Sequence, residues 1–296
     1  MARLGLPVSR STLTDLLHQA ARQLAPLSRR LLELVSIAAV VQADETSLKM
    51  QKPNKRGFVW TFLADNLIAY RFSGNRSGQT PSAVLGSTQG TLVVDMYTGY
   101  NAVTSTGARV RAACLAHVRR RLFDAIPYVP EAREALEIIR DVYIVEHDAK
   151  ADGVARTDEH TKMRQARSRP IMARLHSWLT ARQEQHTPKS PMGSAIRYAL
   201  NNWQELTRFL DDAGIPPDNN RSESALRVVA LGRKNFLFVG HEEAGENLAG
   251  LYSLVATCEA NGVEPISYLT NVLGRVGSHP ANAVDDLLPH KWRPPA

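Results

Sequence analysis

Every strand-like run in this 296-residue chain lies before residue 116, and from His117 to about Leu210 the apolar positions recur only at helical spacing. That order constrains the fold more than any other feature. A chain that lays down strands first and then a long block of helices reads as an α/β core interrupted by a helical insertion. Phe58-Val59-Trp60-Thr61-Phe62-Leu63 and Leu67-Ile68-Ala69-Tyr70-Arg71-Phe72 flank Asp65-Asn66, a hairpin turn signal. With the run from Ala38 to Asp44 before them, they predict a three-stranded meander. Gly90-Thr91-Leu92-Val93-Val94-Asp95 adds a fourth strand, and Arg109 to Leu115 a fifth.

Residues 11–25 predict an amphipathic helix with Ser11 as N-cap and Leu13, Leu16, Leu17, Ala20 and Leu24 on its apolar face, continuing through Leu27 to Leu34. Within the helical block, Ala135, Leu136, Ile139, Val142 and Tyr143 mark one buried face. Met172, Leu175, Trp178 and Leu179 mark another. A third helix, about 192–211, carries Ile196, Ala199, Leu200, Trp203, Leu206 and Leu210. The break before it is Thr187-Pro188-Lys189-Ser190-Pro191, because proline ends the helical ladder. Trp60, Trp178 and Trp203 are expected in the core, and a last helix at 265–275 precedes a proline-containing tail. The resulting division is an N-terminal helical segment (1–36), the first part of the core (37–124), a helical insertion (125–212) and a completion of the core with a helical tail (213–296).

A hydrophobic content of 44% with 22% charged residues excludes wholesale disorder. The formal charge of +7 points to a polyanionic partner. Cys114 and Cys258 are too few for a disulfide framework and fit a reducing cytoplasm. The apolar stretch from Leu34 to Val41 falls far short of the ~20 residues that span a bilayer, so the expectation is a soluble, intracellular protein with no membrane partner.

The chemistry-bearing residues are carboxylates. Asp44 and Asp95 each end an apolar run, and Glu223 follows the turn Pro216-Pro217-Asp218-Asn219-Asn220 at the start of a helical pattern. One strand-end aspartate is more often a turn former or a cap. Three acids in these settings suit a pair of Mg²⁺ ions, which prefer hard oxygen ligands and clamp the attacking and leaving oxygens of a phosphoryl displacement. Glu45, Asp65, Asp124 and Asp218 compete for the same role, and Asp218 offers a helix cap instead. Cys114-Leu115-Ala116-His117 is half of a zinc pattern that lacks two further ligands, which favours packing. Arg119-Arg120-Arg121 and Arg233-Lys234 read either as solvated faces or as grips on phosphate, and Arg233-Lys234 is the stronger candidate because it lies on the helix of Glu223. Ser9-Arg10-Ser11-Thr12-Leu13 has a slight likeness to the start of a helix-turn-helix recognition helix.

Gln42-Ala43-Asp44-Glu45-Thr46 resembles the first acidic motif of the insertion-sequence-66 transposases, a group of DDE-type bacterial enzymes. Leu92-Val93-Val94-Asp95 through Gly99-Tyr100-Asn101 is similar to their second motif. Asp218 to Glu223, with Ala225-Leu226-Arg227 and Leu231-Gly232-Arg233-Lys234-Asn235, resembles their third. The likeness continues through Gly245-Glu246, Tyr252-Ser253-Leu254 and Asn261-Gly262 to His279-Pro280-Ala281-Asn282. It implies an RNase H-like mixed-sheet core and a triad of Asp44, Asp95 and Glu223 holding two Mg²⁺, with Mn²⁺ as a substitute. It also implies double-stranded DNA as partner, both transposon ends and target, in a homo-oligomeric synaptic complex aided by accessory proteins of the same element. Such a protein is cytoplasmic and sits on the nucleoid when bound to DNA.

In that chemistry water attacks a phosphodiester at the transposon end, and the freed 3′-hydroxyl then attacks target DNA. Arg119, Arg120, Arg227, Arg233 and Lys234 are the expected DNA contacts, and Cys114, His117, Asp218, Asn219 and Asn220 support the site. Two departures stand out. Ser224 replaces the arginine that usually follows the third acid, and the family is commonly longer at its N-terminus, so the chain reads as a truncated copy or a catalytic half. The alternatives are a purely hydrolytic RNase H-like nuclease and an inactive remnant that only binds DNA or assembles.

Overall fold

The computed structural model describes residues 8–294. In chain order the elements are α1 (Arg10–Ser36), β1 (Val40–Met50), β2 (Lys55–Ala64), β3 (Leu67–Ser73), α2 (Gln79–Leu85), β4 (Gly90–Val94), α3 (Asn101–Thr104), β5 (Arg109–Ala113) and α4 (Leu115–Ala125). They continue with α5 (Ala132–Ala151), α6 (Asp158–Met163), α7 (Arg169–Arg182), α8 (Pro191–Asn201), α9 (Trp203–Thr207), α10 (Asn220–Phe236), α11 (Glu242–Ala260) and α12 (Pro265–Arg275). The class is α/β, with one mixed five-stranded sheet in the order β3-β2-β1-β4-β5. The chain forms two compact units. One runs up to Gly90 and adds Thr98–Ala108 and the chain from Arg221 onward. The other comprises Thr91–Tyr97 and Arg109–Asn220.

In the first unit β1, β2 and β3 form the expected antiparallel meander. Asp65 makes the hairpin turn with a positive φ of 49°, a conformation that aspartate tolerates better than most residues. Helix α11 packs across β3, and α1 packs against both. Strand β3 is a sheet edge, where unpaired backbone groups need partners. Ser253 Oγ accepts the Tyr70 N–H at 2.8 Å. Thr257 Oγ1 accepts the Ile68 N–H at 3.1 Å and donates to the Ile68 carbonyl at 3.0 Å. The i, i+4 spacing of Ser253 and Thr257 on α11 thus matches the period-two spacing of outward-facing groups on the strand.

The apolar core of this unit has two clusters. Leu48, Met50, Val59, Tyr70 and Phe72 pack with Leu226 and Val229 of α10 and Ala244 and Ala249 of α11. Phe72 fits because Gly57 and Gly245 approach it without side chains, and a Cβ on either would come within 2.4 Å of its ring. The second cluster joins Leu24, Leu27 and Leu31 of α1 to Leu254, Tyr268, Val272, Leu287, Leu288 and Trp292. The C-terminal segment is therefore part of the core: Tyr268 donates to the Leu287 carbonyl at 2.8 Å, and Trp292 Nε1 to Asn271 Oδ1 at 3.0 Å.

In the second unit α4 packs with α5 and α8, and α5 with α7. Ser190 caps α8 and Pro191 opens it, as the break at 187–191 predicts. The unit also buries an ionic knot. Arg164 is 1% exposed, binds Glu146 through two nitrogens at 2.8 and 2.6 Å, and donates to the carbonyls of Phe209, Asp212 and Ile215. His160 Nε2 lies 3.3 Å from the same carboxylate.

Several expectations need correction. The cap of α1 is Ser9, which accepts from Thr12 N, and the buried face is Ala21, Leu24, Leu27, Leu31 and Val35. Leu16 and Leu17 stand in solvent, because the packed stripe occupies only the later turns of the helix. The helix expected at 192–211 breaks at Asn202 and restarts at Trp203. Trp60 is buried, but Trp178 is not: its indole N–H reaches the exposed Glu134 at 2.7 Å, and Arg182 stacks on its ring at 4.1 Å. Trp203 is half-buried, edge-on to His176. Among the described residues no helix is long and apolar enough to cross a membrane.

Candidate active site

Asp44 lies in β1 directly opposite Thr61 of β2. Side chains alternate along a strand, so Asp44 shares a face with Leu48 and Met50, the face that packs against α10. Glu45 takes the other face and is fully occupied there. Its carboxylate, 1% exposed, accepts from Arg76 Nε at 2.7 Å and from the Tyr100 hydroxyl at 2.6 Å. Glu45 is thus a structural acceptor on one face, and Asp44 is the acid on the helix side. Asp44 itself accepts from the Glu45 N–H at 2.8 Å. Beside it on the same face lie Gln42 and Thr61, both buried, whose Gln42 Oε1 and Thr61 Oγ1 have no hydrogen-bond partner. Buried polar oxygens are normally satisfied, so this strip suits a ligand rich in positive charge or donors.

Thr61 pairs in turn with Tyr70 of β3, whose hydroxyl donates to the Ala225 carbonyl at 2.7 Å. That bond pins the start of α10 to the meander two residues after Glu223. Glu223 is half-buried in the first turn of α10, where the helix N-terminus favours a carboxylate. Asp44 and Glu223 therefore belong to the same compact unit, while Asp95 belongs to the other.

Asp95 follows β4 and accepts from the Tyr97 N–H at 2.9 Å, the turn-forming role open to any strand-end aspartate. Arg111, itself buried, donates to the Tyr97 carbonyl at 3.3 Å and so fixes the turn that holds Asp95. The Tyr198 hydroxyl is pushed up to about 12, first by burial and then by the Asp95 charge. Arg111 and Tyr198 are not apparent as site residues from sequence motifs. A signal exists for Arg111, because Arg109-Val110-Arg111 places two arginines on the inward face of an apolar strand, and both are buried.

Hydrogen bonds from Leu115, Asn219 and Asn220 hold the loop into α10. Leu115 N donates to the Pro217 carbonyl at 2.9 Å, and Asn219 N to Cys114 Sγ at 3.2 Å. Asp218 caps the helix start through the Asn220 N–H at 3.0 Å and Asn220 Nδ2 at 2.8 Å. Ligand atoms of Cys114 and His117 lie within 4.8 Å of each other. Burial pushes the Cys114 thiol up to about 11, so it is a protonated packing group rather than a ready thiolate. Of the remaining competitors, Asp65 forms the hairpin turn and Asp124 is exposed on α4.

Among the basic candidates, Arg119 and Arg120 line a hollow of about 390 Å³ with Phe123, Tyr143 and Asn220. Arg227 and Lys234 are exposed on α10. Arg233 is half-committed, since its Nη1 donates to the Ser47 carbonyl at 2.6 Å. Ser224 faces solvent, so the arginine expected there would project outward.

Comparison with known proteins places the chain in a family. Residues 1–247 match the Transposase IS66 family and residues 253–290 the IS66 C-terminal element. Among similar proteins of Sinorhizobium fredii, the uncharacterized protein y4jD is 33% identical over 98% of this chain and 60% of its own length. The uncharacterized protein y4qI is 30% identical over 99% of this chain and 58% of its own. The chain thus spans about 60% of the length of the curated relatives it matches. With matches that together run almost from end to end, the chain belongs to the IS66 transposase family.

Proposed function

We propose that the chain carries the catalytic centre of a DNA transposase on an RNase H-like core, with Asp44, Asp95 and Glu223 as its three carboxylates. The observation that carries this reading is the division of labour at β1. Glu45 is consumed by Arg76 and Tyr100, whereas Asp44 stands on the α10 side beside two buried oxygens that lack partners. That donor set, carboxylates with neighbouring neutral oxygens, is of the hard type that Mg²⁺ or Mn²⁺ selects. When bound, a pair of such ions supplies the charge neutralisation and Lewis acidity that in-line phosphoryl displacement requires.

The chain's own residues do the rest. Asp44 and Glu223 are held by the meander and by α10, which Tyr70 ties together. Arg111 sets the turn that presents Asp95. Arg119, Arg120, Arg227 and Lys234 offer charge to the phosphates of double-stranded DNA, both transposon end and target, in a homo-oligomeric complex. Because hydrolysis and strand transfer are both direct displacements, no side-chain nucleophile is required.

The test is a strand-transfer assay with a duplex ending in a pre-cleaved 3′-hydroxyl of the encoding element, a plasmid target and Mg²⁺ or Mn²⁺. Joined product that disappears in Asp44→Asn is the expected result. Hydrolysis without joining would make the protein a nuclease. Duplex binding without metal-dependent chemistry would make it a DNA-binding remnant.

A further inference from the structure

The distal end of the β1–β2 hairpin concentrates positive charge that the active-site reading does not use. Lys49, Lys52, Lys55 and Arg56 are all exposed there, and Lys49 lies directly opposite Arg56 in the strand register. Like charges facing each other across a ladder destabilise it, so a sheet that keeps them has another use for them or a ligand that neutralises them. Among the described residues none of these four side chains, nor Lys234, has a carboxylate within 4.0 Å. Glu242, which comes up to Gly74 beside Lys55, is committed to the Gly74 N–H at 2.9 Å.

Most of these basic residues also border a common groove. Lys49, Lys55, Arg56 and Arg233 line one groove of about 420 Å³ together with Ser47, Asn54 and Leu237. The hairpin end is held in place. Val239 N donates to the Lys49 carbonyl at 2.9 Å, Gln51 N to the Val239 carbonyl at 2.9 Å, and Lys52 N to the Gly240 carbonyl at 2.8 Å. Arg233 is fixed from the helix side by Ser47. An open groove with four basic residues and no acid in its lining suits a polyanion that passes across it rather than a small molecule it encloses.

We propose that this groove is a second DNA-backbone contact, separate from the acids of the active site, which grips duplex phosphates without reading sequence. The proposal rests on the transposase reading for the identity of the polyanion. It assigns Lys49 and Arg56 the role of phosphate contacts, with Lys52 and Lys55 alongside.

The test measures binding of the full chain to a short random-sequence duplex by fluorescence anisotropy across a salt series. Wild type is compared with Lys49→Gln/Arg56→Gln and, separately, with Arg119→Gln/Arg120→Gln. Each lost phosphate contact lowers the slope of log affinity against log salt by about 0.9, so the hairpin variant should lose about 1.8. Its thermal midpoint should hold or rise, because a like-charge pair is removed. An unchanged slope in the hairpin variant, with a reduced slope in the Arg119/Arg120 variant, would overturn the groove and leave the DNA reading standing. Wild-type protein that fails to bind the duplex at all would overturn both.

Discussion

The two compact units are held by different physics. In the meander unit the contacts between sheet and helices are mostly apolar, and three polar groups that enter them, Ser253, Thr257 and Tyr70, each satisfy a backbone group. In the helical unit a charged pair, Arg164 and Glu146, sits inside and ties α5 to the 209–215 segment through three carbonyls. An apolar interface tolerates small adjustments. A buried ion pair does not, because removing either partner strands the other in a low-dielectric site. The lesson is that Asp44 and Glu223 rest on a scaffold whose tolerance is set by shape, and Asp95 on one whose tolerance is set by charge.

The sharpest way to break that contrast is Glu146→Ala, which should destabilise the helical unit by about 3–5 kcal/mol in denaturant unfolding. Replacing both partners together, Glu146→Leu with Arg164→Met, should recover most of the loss. A double variant as unstable as the single one would show that geometry, not charge, dominates there. In the meander unit, Gly245→Ala forces a methyl group against Phe72 and should cost about 1–3 kcal/mol, with the unfolding slope unchanged. A smaller effect comes from Tyr70→Phe, which removes the bond to Ala225 at about 1 kcal/mol of stability. Its larger consequence should be on strand transfer, because the start of α10 loses its tether near Glu223. Activity equal to wild type would separate Tyr70 from the site.

The smallest effect is with pH. Burial holds His160 and His290, one in each unit, below the ordinary value of 6.5. The unfolded chain therefore binds more protons than the native one just below that value. Stability should be complete above pH 6.5 and should fall as pH drops through the depressed native values. His160→Gln should flatten the slope in the helical unit alone, as read by calorimetric midpoints across pH. A slope that steepens instead would reverse the assignment.

Much of this was legible in the sequence, where the information is local. The Asp65-Asn66 hairpin, the five strand runs, the break before α8 and the helix at 265–275 follow from periodicity and turn chemistry, and those signals act within a few residues. What was not legible depends on partners far away. Alternation puts Asp44 and Glu45 on opposite faces, but only Arg76, Tyr100 and α10 say which face is occupied. Nothing local in the sequence marks Arg164 as buried; Glu146 and the 209–215 carbonyls, all distant in the chain, close around it. Helix α11 carries the Tyr252-Ser253-Leu254 motif, whose purpose appears only when Ser253 meets the edge of β3. Trp178 misleads because an indole N–H needs an acceptor, and the acceptor lies at the surface.

In the proposed function, divalent-metal binding depends on both Asp44 and Asp95. The most direct measurement is a calorimetric Mn²⁺ titration of the full chain beside Asp44→Asn, Asp95→Asn and, as a control in solvent, Asp124→Asn. The account predicts binding by wild type and the Asp124 variant, weakened at least tenfold in each of the other two. Equal binding by all four proteins would contradict it.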